Sequence, residues 1–195
     1  ALDVGKPVKV VCLGDSVTGV YYHTGSRRAY SELLAVALGR THPKADVTVV
    51  NAGVSGNTTR DALARLERDV LGQTPTLVTV MFGLNDVARV QLDDYRKNLN
   101  KIVGKCREAG AEVLLCTPNN VIETPGRPSG RLREYCQAVR ELGKQLAVPV
   151  CDIYAEFDNV RDRDPMSWRL LMSDEIHPNM DGHRLIAEAL TRTLT

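Results

Sequence analysis

Val8-Lys9-Val10-Val11-Cys12-Leu13-Gly14-Asp15-Ser16 is a run of β-branched and apolar residues that stops abruptly at Gly-Asp-Ser. Such a run reads as a buried strand delivering a serine to a turn at its carboxyl end, where open α/β sheets keep their chemistry. Taken alone it reads as readily as a strand followed by a helix cap, because Asp and Ser both cap helices well. The downstream chain decides between the two.

After Ser16 comes a polar loop over residues 17–26, containing Tyr21, Tyr22 and His23. Residues 27–40 then carry Leu33, Leu34, Ala37 and Leu38 at helical spacing. A second strand is predicted at 47–50, followed by a small-residue loop to Thr58, a suitable cap for a helix bearing Ala62, Leu63, Leu66 and Val70. Strand 77–82 is broken at Gly83-Leu84-Asn85-Asp86, helix 92–108 ends before Gly110, and a fourth strand spans 112–116. The stretch 119–130 reads as loop, 132–146 as helix, 148–153 as a fifth strand, 154–173 as irregular with short helices, and 181–194 as the last helix. Five cycles of strand and helix imply an α/β protein, a three-layer α/β/α sandwich around a parallel five-stranded sheet. Right-handed crossovers favour the flavodoxin-like strand order 2-1-3-4-5.

The 195 residues suit a single domain spanning 1–195, with no repeat or linker. Lys and Arg number 25 against 24 Asp and Glu, and no basic stretch is interleaved with aromatics. That excludes a nucleic-acid track and points to a small, roughly neutral partner. No apolar run approaches the ~20 residues that cross a bilayer, and no signal peptide is evident, so a soluble chain with no membrane partner is expected. The first residue is Ala1, which leaves a cytoplasmic location and export after leader removal both open. Cys12, Cys106, Cys116, Cys136 and Cys151 show no CxxC pair and no Cys/His grouping at metal-ligand spacing, so they read as buried hydrophobes, with no metal and no cofactor expected.

Gly14-Asp15-Ser16, residues 51–59 and Gly83 to Asp86 each follow a strand directly, so a parallel sheet sets them along one edge. Asp174 to His177 follows the last strand region and can reach the same edge. Acyl transfer needs those parts. A serine hydroxyl is a poor nucleophile until an imidazole removes its proton, and a carboxylate must hold the imidazole in the right tautomer. Ser16, His177 and Asp174 are the candidates. The oxyanion needs donors fixed beforehand, for which the backbone N–H groups of Ser16 and Gly56 and the amide of Asn85 are placed. Gly56, lacking Cβ, lets its backbone approach a substrate closely.

Gly14-Asp15-Ser16, the loop Asn51-Ala52-Gly53-Val54-Ser55-Gly56-Asn57-Thr58-Thr59, Gly83-Leu84-Asn85-Asp86 and Asp174-x-x-His177-Pro178 together resemble the blocks of the GDSL family of the SGNH hydrolase superfamily. They stand in family order across nearly the whole chain. The resemblance implies the SGNH hydrolase fold and a serine esterase: Ser16 as nucleophile, His177 as base, Asp174 as its orienting carboxylate, and Ser16, Gly56 and Asn85 around the oxyanion. Val17 departs from the leucine usual after the nucleophile.

Each candidate has a plainer reading. Ser16 can be a helix cap, Asn85 can shape a turn with Asp86, and Asp152 and Asp164 compete with Asp174 for the histidine. The three-residue spacing favours Asp174. Asp15 and Asp86 read as loop-holding carboxylates, His23 as a surface residue before a pocket-lining one, and Arg27 and Arg28 as a solvated helix start before contacts to a polar group of the substrate. Tyr21, Tyr22 and Trp168 are the isolated aromatics in loops that border the edge, and so are candidate substrate contacts. Those loops are mainly polar, which favours a short acyl group on a polar alcohol, an O-acetyl ester of a carbohydrate or similar polyol. A thioesterase or lysophospholipase of the same family is the alternative. A flavodoxin-like small-ligand binding module, a different class, is weakened because neither a Walker loop nor a G-x-G-x-x-G is present.

Overall fold

A computed structural model describes residues 7–125 and 128–195. Gly126 and Arg127, within the stretch read as loop 119–130, lie outside the described residues, as do the first six. The sheet is built from β1 (Val8–Gly14), β2 (Val47–Gly53), β3 (Leu77–Met81), β4 (Glu112–Cys116) and β5 (Val150–Cys151). Its order is β2-β1-β3-β4-β5, parallel throughout. The helices are α1 (Tyr30–Thr41), α2 (Thr59–Asp69), α3 (Asp86–Arg89), α4 (Leu92–Glu108), α5 (Ser129–Leu146), α6 (Ile153–Arg163), α7 (Pro165–Arg169) and α8 (Met180–Leu194).

β1 is an interior strand between β2 and β3, covered on both faces, which is why its sequence is apolar on both rather than alternating. Val10, Cys12 and Tyr30, Leu34, Phe157 and Ile186 belong to one core, under α1, α6 and α8. Val11, Leu13 and Ala62, Leu66, Leu99 and Ile102 belong to the other, under α2 and α4. All five cysteines are buried and free, and burial pushes the Cys12 thiol up to about 12 and Cys106 up to about 11. None of the described helices is long and apolar enough to cross a membrane.

Several boundaries shift from the sequence reading, each for a local reason. The first helix starts at Tyr30 rather than 27, because Ala29 is extended and its N–H donates to Glu32 Oε2 at 2.6 Å. The fifth strand shrinks from 148–153 to two residues because Asp152 leaves the ladder to cap α6, accepting from the Ala155 N–H at 3.3 Å. The stretch beginning at 154, read as irregular, therefore continues the eleven-residue helix α6. Thr58 does begin α2, with its N–H and hydroxyl both donating to Asp61.

Candidate active site

The carboxyl ends of β1, β2 and β3 and the turn before α8 meet at one edge of the sheet. Ser16 sits one residue past Asp15, whose carbonyl opens the turn after β1 by accepting from the Thr18 and Gly19 N–H groups. Asp15 Oδ1 accepts from the Val17 N–H at 2.9 Å, which folds the chain tightly around the serine. Both Asp15 and Ser16 are buried, the serine with 7% of its surface exposed. Its Oγ lies 2.9 Å from Nε2 of His177, a residue 161 positions away.

His177 Nδ1 lies 2.7 Å from Asp174 Oδ2. The other carboxylate oxygen accepts from the backbone N–H groups of Ile176 and His177, each at 2.8 Å, so the Asp174-Glu175-Ile176-His177 turn closes on its own side chain. The Tyr22 hydroxyl donates to Oδ2 at 2.8 Å. Burial by itself would raise the Asp174 carboxyl, but these donors outweigh it and hold the group well below the usual carboxylate range. The carboxylate stays charged and aimed at the imidazole. Neither rival carboxylate is free for it: Asp152 is engaged by Arg140 at 2.7 and 3.0 Å, and Asp164 caps α7.

The loop after β2 borders the serine from the other side. Gly56 has φ +76, a left-handed conformation that favours glycine, and an added Cβ there would meet nothing. Among the described residues no acceptor takes the N–H of Ser16 or of Gly56. Gly53, by contrast, is packed: a Cβ on it would lie 2.2 Å from the Gly19 nitrogen. Asn85 is buried, and its amide donates to the Asn57 carbonyl at 3.1 Å and to Asp15 Oδ2 at 3.4 Å. Asp86 holds the start of α2, accepting from the N–H and hydroxyl of Thr59 at 2.9 and 2.6 Å, and burial raises its carboxyl.

The aromatic candidates part ways. Tyr22 stands exposed over Asp174, and Tyr21 Oη accepts from the Ser55 N–H at 2.9 Å, so both border the site. Trp168 does not. It is packed in the core, with its indole N–H on Asn120 Oδ1 at 2.7 Å, because the apolar ring is covered by its neighbours and its polar atom is satisfied inside. His23 also differs from its reading as a surface residue: it is 5% exposed and stacks on His177 with ring centroids 4.7 Å apart and planes 11° from parallel. Arg27 and Arg28 are exposed and solvated, but they precede the helix rather than start it, since α1 begins at Tyr30.

Sequence reasoning passed over Arg65. Its buried guanidinium donates to the Gly14 carbonyl at 2.9 Å, the Ala52 carbonyl at 2.8 Å and Asn57 Oδ1 at 2.7 Å, tying the ends of β1 and β2 to the Gly56 loop. The available signal was its place three residues after Ala62 and one before Leu66, on the core-facing stripe of α2. Among the described residues no group of three or more His, Cys, Asp or Glu is placed to hold a metal ion.

The chain is similar to known proteins along nearly its whole length. The profile of the GDSL-like lipase/acylhydrolase family matches residues 12–185. An acetylxylan esterase of Geobacillus stearothermophilus is 28% identical over 99% of this chain and 96% of its own. The thioesterase 1/protease 1/lysophospholipase L1 of Escherichia coli is 29% identical over 95% of this chain and 82% of its own. The crystal structure of the Geobacillus acetylxylan esterase Axe2 superposes with a TM-score of 0.84 at 29% identity, covering 98% of this chain and 95% of that one. Fold and family likeness together define a hydrolase acting on ester bonds, an α/β sandwich of the SGNH type. The chain belongs to the GDSL-like lipase/acylhydrolase family.

Proposed function

We propose that this hydrolase is a serine esterase working through Ser16, His177 and Asp174, and that it removes short acyl groups, acetyl above all, from a carbohydrate or similar polyol. The observation that carries the reading is the 2.9 Å separation of Ser16 Oγ and His177 Nε2, with His177 Nδ1 on Asp174 in line behind it. The chemistry follows. His177 Nε2 takes the serine proton as Oγ attacks the ester carbonyl, and Asp174 stabilises the imidazolium that forms. The tetrahedral oxyanion is received by the N–H groups of Ser16 and Gly56 and by the Asn85 amide. Collapse breaks the bond to the alcohol, which leaves with the proton from Nε2. A water then repeats the sequence on the acyl-enzyme and releases the acid.

The acetyl preference is supported by the acetylxylan esterase likeness along the full chain and by the polar character of the loops that border the serine. The likeness to a thioesterase and lysophospholipase favours longer acyl chains instead. A panel of nitrophenyl esters from acetyl to palmitoyl, run beside Ser16→Ala, decides between them. The expected result is a maximum at acetyl and loss of activity in Ser16→Ala on the order of 10⁶-fold, as for triads that act as a unit. A maximum at eight carbons or beyond would reject the short-acyl reading, and an active Ser16→Ala would reject the serine mechanism.

A further inference from the structure

His23 is a buried imidazole that the reaction sequence does not use. One face lies against His177, and the other stacks on His183 with centroids 5.4 Å apart and planes 15° from parallel. His183 stacks in turn on Tyr30, at 6.2 Å and 17°. A column of parallel rings therefore runs from the core to the imidazole beside Ser16. Neither ring nitrogen of His23 has a hydrogen-bond partner among the described residues. A buried polar group left unpaired costs about 1–3 kcal/mol, so this residue is not held by its polar atoms. What it offers its neighbours is a flat face.

The turn that carries it, Tyr22–Thr24, is bound on both flanks of the site. The Ser173 hydroxyl donates to the His23 carbonyl at 2.9 Å, and the Tyr22 hydroxyl donates to Asp174 Oδ2. Just upstream, Tyr21 Oη takes the Ser55 N–H beside Gly56. The chain leaving Ser16 thus returns to grip the Asp174–His177 turn, which belongs to a different end of the sequence.

We propose that His23 is a positioning residue for the acid–base pair: its ring is the platform that fixes the plane of the His177 imidazole, while Tyr22 fixes the carboxylate behind it. The inference rests on the Ser16–His177–Asp174 reading above. Burial pushes the His23 imidazole down to about 4, with repulsion from His177 acting the same way, so the platform stays uncharged when His177 takes the serine proton. A neutral ring face tolerates a cation above it, which a second imidazolium would not.

The test compares His23→Ala and His23→Phe in the full chain with nitrophenyl acetate, counting active sites by fluorophosphonate labelling so that kcat refers to folded enzyme only. His23→Ala is expected to lose 10- to 100-fold in kcat per labelled site with KM within about twofold, the scale of a small misplacement of a reacting group. His23→Phe, which keeps a flat uncharged ring, is expected to recover most of that loss. Unchanged kcat per site in His23→Ala, or His23→Phe as slow as His23→Ala, overturns the proposal. Should the alanine variant fail to fold, Tyr22→Phe at its exposed position serves: a fall in kcat per site of at least a few-fold is expected, and no change overturns the clamp. Failure of the wild-type chain to label at Ser16 overturns the triad reading as well, whereas normal labelling with unaffected variants sinks only this inference.

Discussion

The amide nitrogen of Asn85 stands between two acceptors, the Asn57 carbonyl at 3.1 Å and Asp15 Oδ2 at 3.4 Å. The longer contact is at the limit of a useful hydrogen bond, so an oxyanion arriving at Ser16 competes for that donor on good terms. Asn85→Ala is expected to lower kcat by roughly 10²–10³-fold, the usual worth of one oxyanion donor. A thermal melt should remain close to that of the parent. A rate within a few-fold of the parent would remove Asn85 from the oxyanion role.

Arg65 links three segments through its guanidinium, and no other side chain has that fork. Arg65→Met takes the guanidinium donor from the buried Ala52 carbonyl and leaves the Gly14 carbonyl with only the Val54 N–H, a loss of about 1–3 kcal/mol of stability at the usual cost of an unpaired group. Because Asn57 is released too, kcat per labelled site should fall by about tenfold as the Gly56 loop loosens. Urea unfolding and active-site titration check the two effects separately. Stability lost with kcat per site retained would confine Arg65 to folding.

Gly53 and Gly56 lie three residues apart and answer to different constraints. A methyl group on Gly53 would fall 2.2 Å from the Gly19 nitrogen and 2.6 Å from the Thr18 carbonyl carbon, and backbone cannot yield without moving the loop that holds Ser16. Gly53→Ala is therefore expected to cost both stability and at least tenfold in kcat. Gly56→Ala meets no atom but must keep φ +76, a strain of about 1–2 kcal/mol for a residue with Cβ. Its stability loss should be the smaller of the two in a paired melt.

Stability should depend on pH through the buried histidines. Burial, with repulsion from the neighbouring imidazoles, pushes His23 down to about 4 and His183 down to about 3, against about 6.5 in the unfolded chain. Between those values the unfolded state binds more protons than the folded one, so stability rises with pH through the window and is lost as pH falls below about 6.5. The melting temperature should drop steadily from pH 6.5 toward 4, and less steeply in His23→Phe, which has one fewer proton to take up. Identical slopes in the two proteins would show that His23 does not carry this dependence.

The strands, the helices of α1, α2, α4, α5 and α8, the parallel order and the four loop motifs were legible in the residues. Each depends on local periodicity or on a turn immediately following a strand. The ends were less so. Asp152 sits in an apolar stretch that reads as strand until its carboxylate is seen capping α6 and holding Arg140. Trp168 reads as a loop aromatic, yet its indole N–H finds Asn120 from the β4 loop, 48 positions away in the chain.

What the chain alone determined was which residue types arrive at the carboxyl edge of the sheet, because alternation, helical spacing and loop composition are properties of neighbours in sequence. Which of those residues touch was decided by the crossovers that fold distant loops onto one another. His23, a loop residue from the first sixth of the chain, is buried where its ring stacks on His177 and His183 from the last tenth. Arg65 acquires its role only when Gly14, Ala52 and Asn57 converge on one guanidinium. Burial of a polar group is set by everything packed around it, and that information is not written at any single stretch of sequence.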